Sequence, residues 1–225
     1  MAFKLVMPGA EDRSVFIGPT GSGKTVAGAS VLSKQNFEKR PWVALDFKDE
    51  VLWNAVGDPP MRPLKIGAMP GNRGLYRMRV SPNEEQALED WLWKVWHHGN
   101  IGIFCDEMAL VGRSAAMRGV LRQGRSKRVP LIGCTQRPVG CDPELFSESG
   151  YRCLFGIGDE FRDFPILRGL FGPTQDIKQP LLPFHSYWYD CKQKTCVTLQ
   201  PFPNPVNVAK ELKLKVPYKS FLFGA

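Results

Sequence analysis

One run of residues constrains this chain more than any other: Gly18-Pro19-Thr20-Gly21-Ser22-Gly23-Lys24-Thr25, followed by Val26. It satisfies the pattern G-x-x-x-x-G-K-[ST], and it stands where that pattern has physical meaning. The apolar Val15-Phe16-Ile17 enters it at strand length. Lys24 to Gln35 leaves it as a helix, whose small Ala27, Gly28, Ala29 and Ser30 allow close packing on a sheet. Glycines let backbone N–H groups turn inward around phosphate oxygens, and the helix N-terminus adds a favourable dipole. Gly18 to Val26 is therefore the expected nucleotide-binding run. Lys24 would reach the β- and γ-phosphates of ATP, and the Thr25 hydroxyl would ligate Mg²⁺.

Strand and helix signals alternate along the rest of the chain. Strands are expected at Trp42–Phe47, Leu75–Val80, Ile101–Phe104, Val129–Thr135 and Tyr151–Ile157. Helices are expected from Ser81-Pro82-Asn83-Glu84-Glu85 onward, over Arg113–Arg128 as a basic helix and turn, and over Phe161–Phe171. Residues 57–74, rich in Pro and Gly, read as a surface loop. The alternating Tyr76-Arg77-Met78-Arg79 reads as an exposed or edge strand. Leu88, Trp91, Leu92 and Val95 recur on one helical face, which Trp93 and Trp96 cannot share; these rings suit core packing, with an interface for the remainder.

The expected fold is α/β, with a mainly parallel sheet covered by helices on both faces. It divides into a core over 1–179 and a small β-rich C-terminal appendage over 180–225. That appendage carries a hairpin across 186–200 and proline- and aromatic-rich segments suited to an arm.

At 225 residues the chain fits one α/β domain with a small addition. Its apolar stretches have strand length and resemble neither a signal peptide nor a membrane span, so synthesis in the cytoplasm is expected, with docking to a membrane or capsid left open. The formal charge of +8 is compatible with a polyanionic partner, but it is spread along the chain rather than gathered in a tail. The six cysteines form no disulfide framework. Cys105 and Cys134 lie in buried apolar runs, and Cys191 and Cys196 flank a lysine-rich turn with no second pair to complete a zinc site.

Two further strand ends carry chemistry. Ile101-Gly102-Ile103-Phe104-Cys105 ends in Asp106-Glu107: Asp106 would hold Mg²⁺ through water, and Glu107 would deprotonate the attacking water. Two solvated acids capping the next helix is the bland alternative. Thr135-Gln136-Arg137-Pro138 ends the next strand and places Gln136 on the same carboxyl edge, where ligands bind. Its amide there would contact the γ-phosphate or the lytic water, unless it is simply a polar strand end. Between them, Arg118 to Arg128 is either a solvated basic face or the source of an arginine acting in a neighbouring subunit's site, with Arg125 preferred and Arg122 second. The remaining basic residues would meet nucleic-acid phosphates without reading sequence.

Taken together, the GPTGSGKT loop, the strand ending in Asp-Glu, the Gly124-Arg125 segment and the strand ending in Thr-Gln-Arg-Pro resemble the FtsK–HerA superfamily of DNA-pumping ATPases, of the RecA-like (ASCE) P-loop class. The resemblance covers roughly residues 14–160. Within that group, a compact chain without membrane helices looks like the genome-packaging ATPases of icosahedral viruses with an internal membrane. It implies a homo-oligomeric ring, a hexamer, threading double-stranded DNA by ATP hydrolysis with Mg²⁺. Gln136 would be the γ-phosphate sensor, and an arginine near 125 would act in trans. It also implies a place at the packaging vertex of the virion, beside capsid or membrane proteins, and in the host cytoplasm. Three alternatives stand beside it: a Zot-like or conjugative ATPase, a P-loop small-molecule kinase, and a non-catalytic nucleotide-dependent scaffold. A kinase would need neither Glu107 as base nor Gln136 as sensor.

Overall fold

The computed structural model describes residues 7–156, 169–171 and 181–217. The strands are β1 (Arg13–Ile17), β2 (Trp42–Asp46), β3 (Met61–Pro63), β4 (Leu75–Arg79), β5 (Gly102–Cys105), β6 (Leu131–Thr135), β7 (Tyr151–Leu154), β8 (Ser186–Asp190) and β9 (Thr195–Leu199). The helices that lie wholly within the described residues are α1 (Lys24–Leu32), α2 (Val51–Val56), α3 (Glu85–His98), α4 (Met108–Val111), α5 (Ala115–Gln123), α6 (Pro143–Ser147) and α7 (Pro205–Lys215).

These nine strands make one sheet in the order β3-β4-β2-β5-β6-β1-β7-β8-β9. Neighbours from β3 through β7 pair parallel, whereas β7–β8 and β8–β9 pair antiparallel. Side chains alternate across a pleated strand, so each central strand supplies both faces. Val15, Ile17, Val43, Leu45, Ile103 and Cys105 point into one core with Leu88, Trp91, Leu92 and Val95 of α3 and Met117, Val120 and Leu121 of α5. Phe16, Trp42, Ala44 and Phe104 point into the other, with Ala27 and Val31 of α1, Trp53 of α2 and Val208 and Leu212 of α7. Burial on both faces is why these strands read as unbroken apolar runs.

Two glycines set close approaches. Gly102 sits opposite Trp42 in the β2–β5 register, and a methyl group on it would fall inside the indole. Gly28 lets α1 lie close on β5 and β6, where a methyl would meet Phe104 at 3.1 Å and Ile132 at 3.3 Å.

The parallel α/β architecture agrees with the sequence reading, and several details differ from it. The 57–74 segment contains β3, which pairs with β4. As a result β4 is no edge strand: Leu75 and Met78 are buried, and the basic residues are ion-paired, Arg77 with Asp46 and Asp49, Arg79 with Asp49. Alternation of apolar and basic residues marks a half-polar face, but it cannot say whether water or a carboxylate meets the arginines. The helix expected to Gln35 ends at Leu32, and hydrogen-bonded turns carry the chain on to Gln35. The helix expected over Phe161–Phe171 falls largely outside the described residues, as does the end of the strand expected to reach Ile157.

The hairpin expected across 186–200 is present as β8 and β9, and β8 pairs with β7, so the β-rich C-terminal segment continues the sheet. Helix α7 then covers α1 and α2, with a Lys34–Glu211 ion pair at 2.5 Å. Among the tryptophans of α3, Trp91 is buried and donates to the Ala68 carbonyl at 2.9 Å. Trp93 and Trp96 lie outside that face, edge-to-face with each other at 5.7 Å, and the Lys127 ammonium sits 4.6 Å over the Trp96 ring.

Candidate nucleotide site

The loop between β1 and α1 is held open by its backbone. Gly18 N–H donates to the Thr135 carbonyl at 3.2 Å, which ties the loop to the end of β6. Ser22 N–H closes a turn onto Pro19 at 3.2 Å, and Ala27 N–H makes the first helical bond, to Gly23, at 2.9 Å. Gly23 has φ +95°, a left-handed conformation that a side chain would strain, and it turns the chain into α1. The Lys24 side chain is buried and bends back so that Nζ lies 3.5 Å from the Pro19 carbonyl. Burial lowers its pKa, while Glu107 and Cys134 pull the other way. Such an ammonium, short of strong acceptors among the described residues, gains from a nearby anion.

The carboxyl edge of the sheet faces this loop with acids. Asp106 is 1% exposed. Its Oδ1 accepts from the Phe47 N–H at 3.3 Å, but its buried Oδ2 has no partner among the described residues. Burial, reinforced by the neighbouring Asp46, pushes this carboxyl up to about 7. An unpartnered buried carboxylate oxygen is costly unless a cation or proton meets it. The Asp106 carboxylate, like the Thr25 hydroxyl in the first turn of α1, is an oxygen donor of the hard type Mg²⁺ prefers. Among the described residues no three His, Cys, Asp or Glu side chains gather into a metal cage.

Glu107 is also buried, at 5% exposure. Its Oε2 accepts from Lys48 Nζ at 2.7 Å, and its Oε1 from the backbone N–H of Gln136 at 3.3 Å. The structure thus brings Glu107 and Gln136 together, through the Gln136 main chain, while the Gln136 side chain is exposed. Lys48 and Asp46 were not singled out from the sequence, although the signal was there: β2, like β5, is an apolar strand that ends in an acid. Asp46 accepts from the N–H groups of Lys48 (3.3 Å) and Glu50 (3.1 Å) and from Arg77 Nε at 2.7 Å. It therefore braces the turn that carries Lys48.

The arginines lie elsewhere. The Arg13 guanidinium, at the start of β1, donates to the Val120 and Leu121 carbonyls at the end of α5, and Asn100 N–H donates to Lys127 at 2.8 Å. These contacts place the α5–β6 turn, with Gly124 and Arg125, at the amino edge of the sheet, about 13 Å of strand from the chain's own phosphate loop. Arg125 is exposed and makes no ion pair among the described residues, whereas Arg122 is paired with Glu144 through Nε at 2.7 Å. Arg118 pairs with Asp142 at 2.7 Å.

A phosphate loop between the first strand and first helix of a parallel sheet, faced by acids at the end of a neighbouring strand, defines a P-loop ATPase. No protein-family model matches the sequence. DNA packaging ATPase P9 of Enterobacteria phage PRD1 is 32% identical over 208 residues, which cover 88% of this chain and 90% of P9. The chain belongs to this family of viral DNA packaging ATPases, in keeping with the FtsK–HerA resemblance. Among solved structures, the genome packaging NTPase B204 of Sulfolobus turreted icosahedral virus 2, in complex with AMPPCP, superposes with a TM-score of 0.63. It is 15% identical and covers 87% of this chain and 100% of B204. The pCW3 conjugation coupling protein TcpA, with ATPγS, gives 0.57 at 14% identity, over 89% of this chain and 65% of TcpA. At these identities the two structures speak to the fold. No helix among the described residues is long and apolar enough to cross a membrane.

Proposed function

We propose that this chain is the ATP-hydrolysing subunit of a viral genome-packaging motor that drives double-stranded DNA into a capsid. One observation carries the reading: a buried lysine-bearing phosphate loop faces two buried acids on one sheet edge, in a chain of the P9 family. Gly18 to Thr25 cradle the phosphates with backbone N–H groups, Lys24 meets the β- and γ-phosphates, and Val26 underlies the nucleoside side. Thr25 and Asp106 would hold Mg²⁺, which would supply positive charge against the transferring phosphate. Glu107 accepts the proton of the attacking water at a carboxylate oxygen. Its bonds to Lys48 and Gln136 orient that carboxylate, and the Gln136 amide reaches the γ-phosphate to report its loss. Since Arg125 lies far from its own loop, its role is in trans, completing a neighbour's site in a homo-oligomeric ring, a hexamer, with Arg122 second. Such a ring would thread DNA at the packaging vertex of the virion, against capsid or membrane proteins, after assembly in the host cytoplasm.

The test is steady-state ATP hydrolysis with and without double-stranded DNA over a range of protein concentrations. Turnover should rise with DNA and steepen with protein concentration, and Lys24→Ala should abolish it. Glu107→Gln should still bind ATP while turnover falls at least roughly 100-fold, the scale of losing a general base. Turnover indifferent to DNA and to concentration would rule out the motor.

A further inference from the structure

The phosphate loop accounts for the charged end of a nucleotide, and its other flank is aromatic. Phe155, just past β7, donates its N–H to the Ile17 carbonyl at 2.8 Å and packs against Gly18, where a methyl would meet its Cβ at 2.8 Å. Phe202 continues this surface, 6.3 Å from Phe155 and 6.4 Å from Phe16, and Val26 packs into the same cluster. Above them stands Phe184, in the loop that leads into β8. A methyl on Gly23 would meet its Cδ1 at 3.3 Å and the Phe155 ring at 3.9 Å. Phe184 is 56% exposed, and its φ of +60° is left-handed, an uncommon conformation for a bulky residue. The loop is braced to hold it so: His185 N–H closes a turn onto Leu182 at 3.0 Å, and the His185 ring meets Gln200 of the hairpin at 3.1 Å. A strained, exposed aromatic ring held against the phosphate loop by its own braces is poorly explained as core, since it buries little of itself.

We propose that Phe184, backed by Phe155 and Val26, is the wall against which the purine base of the bound nucleotide stacks, so that the C-terminal segment completes the nucleotide site. This rests on the nucleotide reading above and extends it to residues outside the motifs. Flat apolar rings beside the phosphate cradle offer face contact to a base of any hydrogen-bonding pattern. The wall therefore adds affinity for nucleotide over bare phosphates.

The test compares two probes, ATP and inorganic tripolyphosphate, by calorimetric titration in Mg²⁺ with wild type, Phe184→Ala, Phe184→Trp and Lys24→Ala. Base–aromatic stacking is lost on truncation to alanine, so Phe184→Ala should weaken ATP roughly tenfold. Tripolyphosphate affinity should stay within about twofold, and Phe184→Trp should retain ATP binding. Lys24→Ala should weaken both probes. If Phe184→Ala binds ATP as wild type does, or loses both probes equally, the wall is overturned while the phosphate loop stands. Should wild type bind neither probe, the nucleotide reading falls and the wall with it. Phe184 is exposed enough for alanine to leave the fold intact, which the unchanged tripolyphosphate titration checks directly.

Discussion

At the scale of single residues, the site is a balance of buried charges. Lys24 and Lys48 bring two ammonium groups to an edge that also holds Asp46, Asp106 and Glu107, and the pairing among them is uneven. Among the described residues, Asp46 is satisfied by Arg77 and two backbone N–H groups, Glu107 by Lys48 and Gln136, and Asp106 by one N–H alone. The uneven member is the one proposed to meet Mg²⁺. The pair most open to measurement is Lys48–Glu107, because only Lys48 has partial access to water, with a third of its side chain exposed against 6% for Glu107. Removing one partner of a buried pair leaves the other charge uncompensated, whereas replacing both with neutral groups removes the problem. Lys48→Met should therefore cost about 1–2 kcal/mol of stability, discounted from a fully buried pair for the exposure of Lys48. Glu107→Gln alone should cost less, and the double variant should lie within about 0.5 kcal/mol of Glu107→Gln. Urea denaturation of the four proteins measures the cycle. Strictly additive losses would mean that the 2.7 Å contact carries no coupling.

At the scale of elements, what was legible in the sequence follows from how locally each signal is written. The phosphate loop, β5 with its two acids and β6 with Gln136 were legible because strand, turn and site lie within about ten residues. The carboxyl edge then followed from parallel topology alone. The partners that define the site electrostatically were not legible. Lys48 meets Glu107, and Arg77 meets Asp46, across separations of 59 and 31 residues that only strand order brings together. Strand β3 was hidden for a related reason: a three-residue strand containing Pro63 has no periodicity, and the arginines of its neighbour β4 then looked solvent-facing. The Arg125 turn was legible as basic, but its edge of the sheet was set by Arg13, more than a hundred residues away. Register between elements can be tested directly. In the β2–β5 pair, Gly102 is the only residue type that leaves room for the Trp42 ring, so Gly102→Ala must displace the indole or the strand. Overpacking of this kind costs about 1–3 kcal/mol, and a lowering of Tm by roughly 5 °C is expected. Trp42→Leu added to Gly102→Ala should recover part of that loss, since a smaller side chain makes room for the methyl. Thermal melts that show no recovery would place the strain elsewhere.

At the scale of the whole molecule, the C-terminal segment carries the clearest consequence of the topology. Set apart as an appendage, residues beyond 180 would be dispensable to the fold, serving a neighbour or a docking surface. In the structure β8 and β9 extend the sheet and α7 covers the outer side of α1 and α2, so the helix that follows the phosphate loop is backed from behind by residues about 180 positions later. Two leucines two positions apart on α7 separate these possibilities. Leu212 is fully buried and Leu214 is 78% exposed. If α7 is part of one cooperative core, Leu212→Ala should cost about 2–4 kcal/mol, as truncation of a buried leucine does when its surroundings cannot collapse into the space. Leu214→Ala should stay within about 0.5 kcal/mol of wild type. The two variants share a helix and lose the same atoms, so helix propensity and side-chain chemistry cancel between them and only tertiary burial remains. In guanidinium denaturation the Leu212→Ala midpoint should fall with the slope unchanged, as expected when one two-state unit is destabilised. A separate early transition, with the main midpoint unmoved, would instead mean that α7 detaches by itself, and the backing of α1 would then be lost without unfolding the phosphate loop.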